Sequence, residues 1–225
     1  MVTVLGWLAA LAIVVGLATG FGMAPREVTQ GNVQRIMYLH VPAVWVAYLA
    51  FTVGFVASVV YLARRREAAD RLAHAACEVG TVFLGVNIAT GAIWGKPTWG
   101  TWWTWDARLT SVAVVFVMFL AYLLLRQAVE DRERGARYAA VLAIVAALNI
   151  PLVHFSVYWW RTLHQPPSIL RPDKLPWENV HPSMLTALTI SFVAFLLLYF
   201  YLLSLRYRVG EMHQEVIARR LERGA

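Results

Sequence analysis

Apolar residues run along this chain in six long stretches, at about 2–22, 42–63, 77–94, 109–125, 138–155 and 184–205, separated by polar segments. A helix needs roughly 20 apolar residues at ~1.5 Å rise each to cross ~30 Å of hydrocarbon. Lipid offers no water to an unpaired backbone, so each stretch is expected to be helical. The pattern predicts an all-α integral membrane protein, a six-transmembrane-helix bundle forming one membrane domain over residues 1–225. In the fifth stretch Asn149 and Pro151 interrupt the backbone ladder. That helix is expected to pack in the bundle interior, where freed carbonyls find partners. The first stretch is read as a retained helix and not a signal peptide. No basic side chain precedes its apolar core, and no small-x-small cleavage site follows it.

Composition narrows the function classes. The chain has 225 residues, 60% of them hydrophobic and only 15% charged, more apolar surface than a soluble domain of this size hides. Its single cysteine, Cys77, excludes an intrachain disulfide and C-x-x-C redox chemistry, and reads as a packing residue. No G-x-x-x-x-G-K-[ST] run exists, so no nucleotide is hydrolysed here by a P-loop route. The net charge of +7 points to anionic lipid and not to nucleic acid, because the basic residues border the spans.

Those basic residues also set an orientation. Thirteen of the twenty Lys and Arg fall in 64–76, 126–137 and the tail after the last span, all on one face of a six-span chain. The positive-inside rule places that face and both termini in the cytoplasm, with 23–41, 95–108 and 156–183 outside. The tryptophans are skewed the opposite way. Trp45, Trp94, Trp99, Trp102, Trp103, Trp105, Trp159, Trp160 and Trp177 lie in or near the outer face, and only Trp7 near the inner one. An aromatic belt anchors both interfaces, so the asymmetry favours a binding surface. Five of them crowd between Trp94 and Trp105, in W-G-K-P-T-W-G-T-W-W-T-W-D-A-R. Indoles are large flat apolar faces with one N–H donor, a floor suited to a flat ligand. Gly95, Pro97 and Gly100 are expected to supply turns within the run.

Four of the six histidines, His40, His154, His164 and His181, are on the outer side, with His74 and His213 inside. His40 stands in Y-L-H-V-P, and Pro42 fits the first turn of a helix beginning there. His164 lies between spans five and six, followed by two prolines. Two neutral imidazoles from separate segments suit one metal held axially from opposite sides, and over an aromatic floor that metal is haem iron. An interfacial histidine also commonly just faces lipid headgroups, and His154 and His181 are read that way. Zinc lacks a close pair or thiolate to complete a tetrahedral set. Arg35 and Arg108 are candidates to grip the carboxylates of a porphyrin. Each equally reads as a snorkelling arginine or an ion-pair member, such as Arg108 with Asp106. Asp106 itself reads as an acceptor that fixes the loop.

The segment W-G-K-P-T-W-G-T-W-W-T-W-D-A-R-L-T-S resembles the "WWD" signature of haem-handling proteins. With F-G-M-A-P near residue 21, Q-G-N-V-Q-R-I-M-Y-L-H-V-P-A around His40 and N-I-P-L-V-H-F-S-V-Y-W-W-R-T-L-H-Q around His164, the chain is similar to the CcmC (haem exporter protein C) family of cytochrome c maturation. The longer relatives CcmF and CcsA share the tryptophan run but have more spans and histidines. The resemblance implies six spans and an outward-facing site for haem b, carried as transient cargo. It implies His40 and His164 as axial ligands, a haem platform in the segment 94–111 (Trp94, Trp99, Trp102, Trp103, Trp105 and Asp106), and Arg35 and Arg108 near the propionates. It further implies delivery to the periplasmic haem chaperone CcmE, with CcmA, CcmB and small CcmD as complex partners, in the bacterial inner membrane. The expected role is therefore a carrier and not an enzyme. An electron-transferring b-type cytochrome would place its histidines mid-span, a permease would show repeats or broken helices at the midplane, and a haem lyase would be longer.

Overall fold

The computed structural model describes residues 2–167 and 180–224, side chains at 217, 218 and 220–224 excepted. The expected Trp177 lies outside them. Six of the helical segments are long and apolar enough to cross a membrane. Helix α1 (Val2–Leu17) runs into a π-helical turn, Ala18–Met23. A 3₁₀ turn, Val33–Ile36, leads into α2 (Met37–Arg64), followed by α3 (Glu67–Trp99) and α4 (Ala107–Ala128). The fifth span is two helices, α5 (Arg132–Ala147) and α6 (Ile150–Trp159), and α7 covers Pro182–Gly224.

The helices outrun the apolar stretches that announce them. Helix α3 begins at Glu67, ten residues before the apolar run, because its polar first turns stay helical outside hydrocarbon. Glu67 and Asp70 there face the positive end of the helix dipole. The same helix continues through Trp94 and Trp99, so the expected loop over 94–111 shrinks to residues 100–106. Gly95 and Pro97 are helical, and the turn belongs to Gly100 alone, at φ 78°, whose N–H donates to the Lys96 carbonyl. Helix α2 likewise starts five residues before Pro42, which sits inside the helix and not in its first turn.

The break at Asn149 falls where expected. Asn149 Nδ2 donates to the Val145 carbonyl at 2.8 Å, a side chain replacing a lost backbone bond. The interior placement holds for one face only. Ala136, Ala139, Ala140, Ala143 and Ala146 are buried, while Tyr138, Val141, Val145 and Leu148 are exposed. Small residues let α5 approach α2 and α4 closely, as membrane helices do. On α2, Ala50 and Gly54 meet Gly80 and Cys77 of α3 in the same close fashion, and Phe51 stacks on Phe119 of α4 with ring centroids 3.7 Å apart.

Gly54 marks the tightest crossing. A Cβ there would lie 2.5 Å from Cys77 Sγ on α3. We expect Gly54→Ala to destabilise the bundle by about 1–3 kcal/mol through overpacking. Adding Cys77→Ala should recover most of that loss, because the cavity takes the new methyl. Thermal unfolding of the three variants in detergent checks the pair; an equal loss in single and double variants would exclude this contact as the cause.

Candidate functional site

At the tryptophan-rich end, α2, α3, the start of α4, α6 and the loop after it enclose a cleft with about 1400 Å³ free of protein atoms, open mouth included. His40 and His164 face each other in it, with ring centroids 6.4 Å apart and planes inclined by 31°. Each imidazole meets a tryptophan edge-on. Trp94 stands 5.7 Å from His40 at 82°, and Trp99 stands 6.1 Å from His164 at 60°. Both indoles come from the last turns of α3, so the helical extension of that span is what brings them to the histidines. Trp94 is held by its own N–H, which donates to Gln30 Oε1 at 2.7 Å.

The protonation pattern follows from the partners. His164 Nδ1 is 2.7 Å from the Gln165 carbonyl, and His40 Nδ1 is 3.0 Å from the Asn87 carbonyl. A carbonyl only accepts, so both Nδ1 atoms carry the proton and both Nε2 atoms keep a lone pair. Burial, aided by the Arg108 guanidinium, pushes His164 down to about 4. At neutral pH its ring is therefore in the neutral form that ligates metal.

The sequence-derived candidates separate into two sets. Trp94, Trp99, Trp103, Arg108, His40 and His164 line the cleft. Trp102 and Trp105 do not; they are 57% and 80% exposed on the outside of the loop. Arg35 is not brought to the cleft either. Its guanidinium donates to the Phe21 and Ala24 carbonyls at 2.5 and 2.8 Å, tying the π-helical turn after α1 to the 3₁₀ turn before α2. Arg108 does not pair with Asp106 but donates to the Val153 carbonyl of α6. Asp106 caps α4, accepting from Leu109 N–H at 2.9 Å, and its other oxygen accepts from Leu163 N–H at 3.0 Å. It therefore ties the tryptophan loop to the loop that carries His164.

Sequence reading did not assign four of the lining residues to the site, although it counted Trp45 among the outer-face tryptophans. His154, assigned to the headgroups, lines the cleft from α6. Trp45, Tyr48 and Asn87 line its deeper part. The spacing His40–Val44–Tyr48 puts one face of α2 into the cleft, a signal visible as i, i+4, i+8 but indistinguishable from ordinary packing. Two donors are buried there without a protein partner among the described residues, Trp103 Nε1 and Tyr48 Oη. Buried donors ordinarily find acceptors, so both suit a ligand that brings its own.

The chemistry is that of a two-ligand site. Among the described residues no three His, Cys, Asp or Glu gather around one point. A metal held by two imidazoles alone needs its remaining positions filled by something else, as a macrocycle does. The family model described as heme exporter protein C matches residues 1–223. The chain belongs to the heme exporter protein C family. Among curated members, the heme exporter protein C of Bradyrhizobium diazoefficiens is 41% identical over 221 residues, covering 97% of this chain and 81% of the relative. That of Escherichia coli K12 is 38% identical, over 90% of this chain and 81% of its own. A putative cytochrome c biosynthesis ccmC-like mitochondrial protein of Marchantia polymorpha is 36% identical over 78% of this chain and 73% of the relative. Membership in the heme exporter protein C family spans every element that builds the cleft.

Proposed function

We propose that this protein is a haem carrier of cytochrome c maturation, binding haem b in the cleft with His40 and His164 as its two axial ligands. The observation that carries the reading is the 6.4 Å separation of the two rings. Two imidazoles bonded to opposite sides of one metal, at about 2 Å per bond, place their ring centres about 6 Å apart. Trp94, Trp99 and Trp103 supply flat apolar walls for the macrocycle. Among the described residues Arg108 is the cation that lines the cleft, and it takes the propionate role. The names of the relatives, heme exporter protein C, agree with haem as cargo.

The cleft faces the periplasm and the arginine-rich ends face the cytoplasm of the bacterial inner membrane, on the positive-inside distribution. Haem passes from the cleft to the periplasmic chaperone CcmE, for which exposed Trp102 and Trp105 form the docking ledge. CcmA, CcmB and CcmD accompany the chain, and nucleotide hydrolysis belongs to that complex. The protein delivers a ligand and does not turn over a substrate.

Purification with haem bound, followed by optical spectra of His40→Ala and His164→Ala, tests the ligand pair. Each variant should lose the six-coordinate low-spin spectrum and most of its haem. Unchanged haem content and bis-imidazole bands in both would defeat the assignment.

A further inference from the structure

The turn of α3 that faces His40 is built around its imidazole. His40 Nδ1 lies 3.0 Å from the Asn87 carbonyl and 3.2 Å from Thr90 Oγ1. Thr90 spends its own hydroxyl proton on the Val86 carbonyl at 2.7 Å, which leaves its oxygen as an acceptor toward the ring. The Nδ1 proton thus sees two oxygens of one helical turn. The Asn87 side chain, buried, donates to the His40 backbone carbonyl at 3.0 Å and lies 3.2 Å from each ring nitrogen. The lone-pair directions of the two nitrogens diverge, and an in-plane donor equidistant from both would collide with Cε1. The amide therefore lies over the ring face and blocks rotation without occupying Nε2.

Gly91 completes the enclosure. A Cβ at that position would stand 2.9 Å from His40 Cε1, 3.4 Å from Nδ1 and 4.0 Å from Nε2. The imidazole is pressed against bare helix backbone, and Nε2 is the ring nitrogen turned away from it. A residue of any other type would push the ring toward the cleft.

We propose that Asn87, Thr90 and Gly91 are positioning residues for His40, a cradle on α3 that fixes its proton on Nδ1 and presents Nε2 to the ligand in the cleft. The inference rests on the reading of His40 as a haem ligand. It adds a consequence of its own, because a hydrogen bond from Nδ1 makes the imidazole a stronger electron donor and tunes the metal it binds. Outer-shell partners of this kind typically change metal affinity by roughly 10–100-fold when removed.

The test uses the haem-loaded protein in detergent and compares Thr90→Val, Thr90→Ser, Gly91→Ala and His40→Ala by optical spectrum, haem affinity and reduction potential. Thr90→Val removes an acceptor while keeping the shape. It should retain bound haem but raise the reduction potential, since a less basic imidazole stabilises the ferric state less. Thr90→Ser should restore the potential of the parent. Gly91→Ala should weaken haem binding by roughly 10–100-fold and convert the remainder to a high-spin spectrum. A parent-like potential in Thr90→Val together with a parent-like spectrum in Gly91→Ala overturns the cradle, provided His40→Ala is high-spin. A parent-like spectrum in His40→Ala instead overturns the ligand reading, and the cradle with it.

Discussion

Asp70→Ala is expected to destabilise the bundle by about 3–5 kcal/mol, because it strands a buried guanidinium. Asp70 on α3 and Arg126 on α4 form a two-pronged pair at 2.6 and 2.8 Å. Their side chains are only 8% and 13% exposed. The Arg126 guanidinium also lies 5.8 Å from the Tyr122 ring centre, so the pair sits against aromatic surface. Taking away the carboxylate removes the attraction but leaves the desolvation of the cation in place. Replacing both residues by leucine removes the attraction and the penalty together, and is expected to be close to neutral. Chemical unfolding in micelles distinguishes the two. A single variant within about 1 kcal/mol of the parent would show that Arg126 reaches another anion, such as a lipid phosphate.

This ion pair was not legible in the sequence, and the reason is general to the chain. Apolar length reports what lies in hydrocarbon, which is why six spans could be counted from the pattern alone. It does not report where helices stop. Asp70 and Arg126 looked like parts of polar connections, whereas α3 carries Asp70 in its first turn and α4 carries Arg126 in its last. The same blindness turned the first third of the tryptophan run into loop, when its helical geometry is what sets Trp94 and Trp99 beside the two histidines.

Residue type located the cleft but could not sort its members. Tryptophan and histidine at one interface are conspicuous, and six of the ten named candidates do line the cleft. Arg35 and Arg108 looked equivalent, being two arginines at one face. Their difference lies in which carbonyls they meet, those of the π-helical turn after α1 for Arg35 and those of α6 for Arg108, which depends on tertiary packing. Asn87 and Tyr48 had no chance of notice. Within a span, a polar residue that grips a neighbour and one that merely packs leave the same mark in a sequence.

Asp106→Asn should separate two tasks that a single carboxylate performs. Its Oδ1 accepts from Leu109 N–H and caps α4, while Oδ2 accepts from Leu163 N–H next to His164. Asparagine is about as good a cap as aspartate, so the helix terminus is retained. The amide has one oxygen, however, and its NH₂ would then face the Leu163 donor with nothing to accept. The loop should come loose from the tryptophan segment while the bundle keeps its stability. We expect unfolding within about 1 kcal/mol of the parent and haem affinity lower by roughly 10–100-fold, the range for lost outer-shell support. Asp106→Ala should add the loss of the cap, about 0.5–2 kcal/mol. Haem titration and unfolding on the same preparations decide it. Equal losses of stability in both variants would mean that the tie to Leu163, and not the cap, is what Asp106 contributes to the fold, and a parent-like haem affinity in Asp106→Asn would sink its hold on the His164 loop.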